Sequence, residues 1–218
     1  MNPLSDISYI EIQTEDPVQM FSQILEAFEN SKPNKTMPSP INIATFDDEF
    51  GALNRTVNYR GLTVDKHITI VTQKDSRKYA NIMKDPRVTV TFYLEIPNTK
   101  GQIAQWQIRL FGKAIELSPG EISNLWNEET VFAKIRSRIC DCGKPIEYLK
   151  LKETHDTILK AYENGEDSLP QTELFTAFKV VPSIWDFYKS DPNCIGDRIQ
   201  YRKDESDSTK WIKMHVAA

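Results

Sequence analysis

The chain has 218 residues, of which 39% are hydrophobic and 27% charged, with a formal net charge of -4. That length allows one large core, or two small ones. The acidic balance excludes the broad basic field of a nucleic-acid binder, so any bound anion must be held by a local cluster. The three cysteines, Cys140, Cys142 and Cys194, form no disulfide framework, and their odd number fits a reducing compartment. Met1-Asn2-Pro3-Leu4-Ser5-Asp6 lacks a basic start and an apolar core, so no signal peptide is expected. No apolar run approaches the ~18 residues of a membrane span. The expectation is a soluble cytoplasmic protein, with no nucleic-acid or membrane partner. The sequons at Asn34-Lys35-Thr36 and Asn54-Arg55-Thr56 then carry no sugar.

Asp16-Pro17 opens a helix as N-cap and first-turn residue, and Met20, Phe21, Ile24, Leu25 and Phe28 follow at helical spacing. Pro33 to Pro40 reads as a polar connector. From Ile41 the chain is strand-rich: Ile41–Phe46, Leu53–Tyr59, His67–Thr72, Val88–Leu94 and Trp106–Leu117. A short helix is predicted over Ser76–Met83, and Pro97–Gly101 is a hairpin tip. Helical pieces follow from Pro119, from about Glu129 to Ile139, and from Ile146 to Tyr162. In the last of these Leu149, Leu151, Ile158, Leu159 and Tyr162 are the expected inward residues. Strands return at Phe175–Val181, Ile184–Tyr188, Arg198–Arg202 and Trp211–Val216, with a polar loop at Asp204–Thr209. The pattern is α+β and mainly β, a β-barrel with peripheral helices in one domain over residues 1–218. Residues 1–40 supply the first helix and connector, and residues 118–165 a helical insertion.

One stretch points to ligand chemistry. Arg55-Thr56-Val57-Asn58-Tyr59-Arg60-Gly61, Ile68–Thr72 and Ser76-Arg77-Lys78 set arginine and lysine on or just after two strands. Guanidinium forks and ammonium groups held there suit a phosphate monoester; a solvated pair of surface strands is the competing reading. Cys140-Asp141-Cys142 is one close pair without a second, short of a zinc set, so no metal is expected. His67, His155 and His215 stand in unrelated contexts, and no Gly-x-Ser-x-Gly, Walker loop or Gly-x-Gly-x-x-Gly occurs. No catalytic residue is assigned. Tyr188 points opposite Phe187 and could line one pocket with Arg198.

Several segments together resemble the pyridoxamine 5'-phosphate oxidase family, the FMN-binding split barrels. They are Asp16-Pro17…Phe21, Arg55–Gly61, Val71-Thr72, Ser76-Arg77-Lys78, Asp85-Pro86-Arg87-Val88 and Gln107–Gly112, then Val181-Pro182, Trp185–Tyr188, Asp197-Arg198 and Trp211. The resemblance implies a six-stranded antiparallel split β-barrel, a homodimer and an FMN site. Arg55, Arg77 and Lys78 would clamp the cofactor phosphate, with Thr56 and Val57 on the same strand. Arg60, in place of a usual lysine, would stand beside the flavin ring, and Val71, Thr72 and Gln107 would also touch FMN. Tyr188 replaces a usual tryptophan, and Arg198 matches the closing arginine.

The departures fall elsewhere. The family's vitamin B6 phosphate pocket uses a tyrosine, an arginine and a serine where this chain has Leu125, Glu129 and Ala133, and an arginine and a histidine where it has Cys194 and Gly196. Cys142-Gly143 stands in place of a Gln-Ser pair that also touches FMN. The expected function is an FMN-dependent oxidoreductase with an altered substrate pocket. The alternatives are an active pyridoxamine/pyridoxine 5'-phosphate oxidase, or a non-catalytic module for flavin or another planar ligand; related split barrels also bind haem and deazaflavin.

Overall fold

Six antiparallel strands close into a ring in the computed structural model, which describes residues 6–12, 14–32, 40–207 and 209–217. The ring strands are β2 (Pro40–Asp47), β3 (Gly51–Leu62), β4 (Ile68–Gln73), β5 (Arg87–Pro97), β6 (Ile103–Glu116) and β7 (Phe175–Ser190). Round the ring, Ile43 pairs with Arg55, Tyr59 with Ile70, Val71 with Ala177, Tyr188 with Gln107, Arg109 with Thr91, and Thr91 with Asn42. β8 (Cys194–Lys203) extends the sheet from the far half of β7, β9 (Trp211–His215) pairs with β8, and β1 (Asp6–Ser8) lies parallel to β8. The fold is therefore mainly β with peripheral helices, as the strand pattern predicts.

Alternation fills the ring. Ile41 and Ile43, Ile68 and Ile70, Val88, Val90 and Phe92, Ile108 and Leu110 are buried, and their strand neighbours are more exposed. Helix α1 (Pro17–Ser31) lies against β5. Asp16 caps it by accepting the Val18 N–H at 2.9 Å. Its Phe21 ring lies 5.0 Å from Phe92 and 5.3 Å from Trp185, so Phe21→Ala would cost ~3–5 kcal/mol. Among the described residues no helix is long and apolar enough to cross a membrane.

Three features depart from the sequence expectation. Phe175–Val181 and Ile184–Tyr188 are one strand, continuous through Pro182. The proline is tolerated at a register shift opposite Phe111 and Gly112. Gly112 is obligatory there, because a Cβ would sit 2.2 Å from the Val181 carbonyl oxygen. Second, α5 (Tyr148–Glu163) buries no residue completely, and Leu149 and Tyr162 are exposed rather than inward. The reason is placement: α5 lies chiefly against α4 (Val131–Ile139) and has no sheet beneath it. Third, β1 has no counterpart in the sequence pattern, since three residues are too few to show alternation. Residues 33–39, which hold most of the expected connector and the first sequon, lie outside the described residues; so do residues 1–5.

Candidate functional site

The first turn of α2 (Arg77–Lys84) gathers one polar cluster. Ser76 is its N-cap, set in extended backbone, and its hydroxyl lies 2.9 Å from Thr72 Oγ1 at the end of β4. Lys78 Nζ donates to the same Thr72 oxygen at 3.0 Å. Thr72 and Ser76 are both buried. No carboxylate among the described residues is ion-paired with Lys78. Burial pulls its ammonium below the usual lysine range, and the nearby Arg55 guanidinium pulls the same way, against the opposite influence of Cys142 and Asp75. Two cations are thus held near two buried hydroxyls at a helix N-terminus, an arrangement that attracts an anion.

Arg55 reaches its place from β3, where Nη1 donates to Thr45 Oγ1 at 2.7 Å and to the Leu53 carbonyl at 3.1 Å. Arg77 does not join the cluster. Its Nη1 lies 3.0 Å from Glu49 and 3.4 Å from Asp47, and its guanidinium covers the Phe50 ring at 4.9 Å. Burial pushes the Asp47 carboxyl up, but N–H donors from Phe50 and Glu49, with Asn81 and Arg77, hold it below its ordinary range. Thr56 and Val57 lie beside Arg55 on β3; Val57 is partly buried on the core, and Thr56 Oγ1 is 3.0 Å from Asn42.

A cavity of about 230 Å³ opens beside this cluster, with Arg60, Val71, Lys78, Glu129, Ala133 and Cys142 in its wall. Arg60 is ion-paired with Glu129, whose side chain is only 6% exposed. Arg60 Nε is buried and has no hydrogen-bond partner. Glu129 is held at the junction of two helices: its N–H caps α3 (Pro119–Glu128) on the Trp126 carbonyl, and Thr130 is the N-cap of α4. Leu125 packs behind the cavity with Val71, against Trp126 and Phe175. Cys142 closes one side: its thiol donates to Gln73 Oε1 and its N–H to Asp75, each at 2.9 Å. Burial pushes this thiol above the usual cysteine range, and Asp75 adds to the push.

The remaining expected site residues lie at the other end of β7. Gln107, Tyr188 and Arg198 are register partners across β6, β7 and β8. Tyr188 covers Gly196, where a Cβ would lie 2.5 Å from the ring. Cys194 opens β8 two residues before Gly196, at the β7–β8 turn, where its N–H bonds the Asp191 carbonyl at 3.2 Å. Arg198 is committed to Asp186, with Nε 3.0 Å from Oδ1 and Nη2 2.7 Å from Oδ2. Arg109 at 3.1 Å and Gln200 at 2.6 Å complete the ring of donors around this fully buried carboxylate. Burial pushes Asp186 up, but Arg198 and Gln200, with Arg109, hold it below its ordinary range.

Sequence reasoning missed the Asp186 network, although an acid between buried Trp185 and Phe187 was a signal for a partnered charge. Val71 pairs with Ala177, and Tyr188 comes eleven positions later, so the two clusters stand ~35 Å apart along β7.

A ring of six antiparallel strands, with helices inserted before β7, is the split-barrel fold of pyridoxamine 5'-phosphate oxidase-related proteins. PhzG from Burkholderia lata, solved with tetrahydrophenazine-1-carboxylic acid, superposes with a TM-score of 0.81 at 16% identity, covering 98% of this chain and 100% of PhzG. A pyridoxamine 5'-phosphate oxidase-related, FMN-binding protein from Nostoc punctiforme superposes with a TM-score of 0.68 at 18% identity, covering 92% and 96%. The sequence resembles the pyridoxine/pyridoxamine 5'-phosphate oxidases themselves. That of Granulibacter bethesdensis is 24% identical over 197 residues, 88% of each chain. No protein-family model matches the chain.

Proposed function

We propose that this chain is an FMN-binding oxidoreductase of the pyridoxamine-phosphate-oxidase kind, acting as a homodimer with an altered substrate pocket. The observation that carries the reading is the Lys78 ammonium: half-buried, beside Arg55, bonded to Thr72 and ion-paired with no carboxylate among the described residues. Such a cation is stabilised by a bound anion, and the phosphate of FMN supplies one. Arg55, Lys78, Thr72 and Ser76 would hold that phosphate. Arg60 would stand beside the ring, and Val71 would supply an apolar wall. Bound FMN would supply the two-electron chemistry, and the chain would supply binding and orientation.

The homodimer is supported by the separation of the site. Gln107, Tyr188 and Arg198 are too far along β7 for one cofactor to meet them and Lys78 in the same chain, and a second copy would bring its own set. The test is reconstitution: protein loaded with FMN stays yellow through gel filtration at the mass of a dimer and releases FMN on denaturation. Colourless protein sinks the reading.

A second reading, an active pyridoxamine 5'-phosphate oxidase, is supported by the names of the relatives. Oxygen-dependent turnover of pyridoxamine 5'-phosphate by the loaded protein decides for or against it.

A further inference from the structure

Glu129 is placed where it controls the charge of whatever shares the cavity. Its carboxylate is buried in the wall and matched by one cation, Arg60. Removal from that place is costly, because Glu129 bridges α3 and α4 and both ends are capped: its own N–H bonds the Trp126 carbonyl at 3.1 Å, and Thr130 Oγ1 accepts the Ala133 N–H at 3.3 Å. The cavity is therefore polarised. At the Lys78 end the ammonium has no ion-pair partner among the described residues; at the Arg60 end the guanidinium is paired with Glu129. A phosphate or carboxylate reaching the Arg60 end meets the Glu129 carboxylate at close range, and Arg60 is already paired with it; the other cations of the wall are Lys78 and Arg136. A neutral group meets no such repulsion, and an amine is attracted to Glu129.

We propose that Glu129 is the specificity residue of this cavity. Paired with Arg60, it selects a substrate whose cavity-facing group is neutral or cationic and rejects a phosphate monoester there. The proposal deepens the flavoprotein reading and assigns its substrate class.

The test compares pyridoxamine with pyridoxamine 5'-phosphate, one cation with and without a phosphate, bound to FMN-loaded wild type, Glu129→Gln and Glu129→Ala. Binding is read by calorimetry, and thermal melts confirm folding. Wild type binds pyridoxamine at least as tightly as its phosphate. Both variants shift the ratio at least tenfold toward the phosphate, since Arg60 is then unopposed. A wild-type preference for the phosphate of tenfold or more overturns the proposal. So does a ratio that neither variant moves, or the failure of all three proteins to bind either compound. Failure of FMN to bind is a separate result against the cofactor reading. The ratio is then measured on the unloaded proteins, with the same shift expected from both variants.

Discussion

Lys78 Nζ donates to Thr72 Oγ1 at 3.0 Å, and that oxygen lies 2.9 Å from the Ser76 hydroxyl that caps the same helix. The lysine therefore completes a polar cluster at the start of α2 and carries a charge that no described carboxylate meets in an ion pair. Its burial is a cost in the free protein. Lys78→Met keeps the length of the side chain and removes the charge, so the free protein should melt at the same temperature or slightly higher. Scanning calorimetry without ligand checks this. A melt lowered by several degrees would make Lys78 a structural residue.

Asp186 anchors the opposite cluster. Replacing it by Asn leaves Arg109 and Arg198 without their shared counter-charge, at a cost of ~3–5 kcal/mol. The folded-state carboxyl lies below its unfolded value, so its contribution is fully present above the unfolded pKa, about 3.9. It is lost as pH falls through the lower folded value. Urea melts from pH 6 down to pH 2 should show wild type losing part of its advantage over Asp186→Asn only on the acid side of pH 4. A constant difference across that range would contradict the assignment.

Two glycines differ in what surrounds them. At Gly112 an added Cβ meets backbone, the Val181 carbonyl at 2.2 Å, which cannot step aside. At Gly196 it meets the Tyr188 ring, which can rotate. Gly112→Ala should then cost more than the ~1–3 kcal/mol typical of overpacking, and Gly196→Ala less than Gly112→Ala. The double variant Gly196→Ala with Tyr188→Ala should show coupling, recovering much of the Gly196→Ala loss. Strict additivity in denaturant melts would mean that Tyr188 does not rest on Gly196 in solution.

Residue pattern alone made much of the fold legible. Alternation in Ile41–Phe46 and Val88–Leu94 marks half-buried strands, and Asp16-Pro17 and Ser76 mark helix starts that the structure keeps. Pro182 hid the continuity of β7, because a proline reads as a break unless the bulge opposite it is known. Leu149 and Tyr162 looked inward by spacing, but the spacing does not say whether anything lies beneath the helix. In the site, Arg55 comes near enough for its charge to act on Lys78. Arg77 turns to Glu49 and Asp47, a choice made by the β2–β3 turn. The Arg60–Glu129 pair joins residues 69 positions apart, and nothing local announces it.

In the proposed flavoprotein, Lys78 and its hydroxyl neighbours hold the phosphate of FMN. Riboflavin has the same ring and no phosphate, so the most direct test compares FMN and riboflavin affinities, by flavin fluorescence, for wild type and Lys78→Met. A charged hydrogen bond of ~1.5–3 kcal/mol corresponds to roughly 10–150-fold. Wild type should bind FMN more tightly than riboflavin by at least that factor, and Lys78→Met should lose FMN affinity by a similar factor while binding riboflavin as wild type does. Equal affinity of wild type for the two flavins, or an FMN affinity untouched by the substitution, would contradict the account.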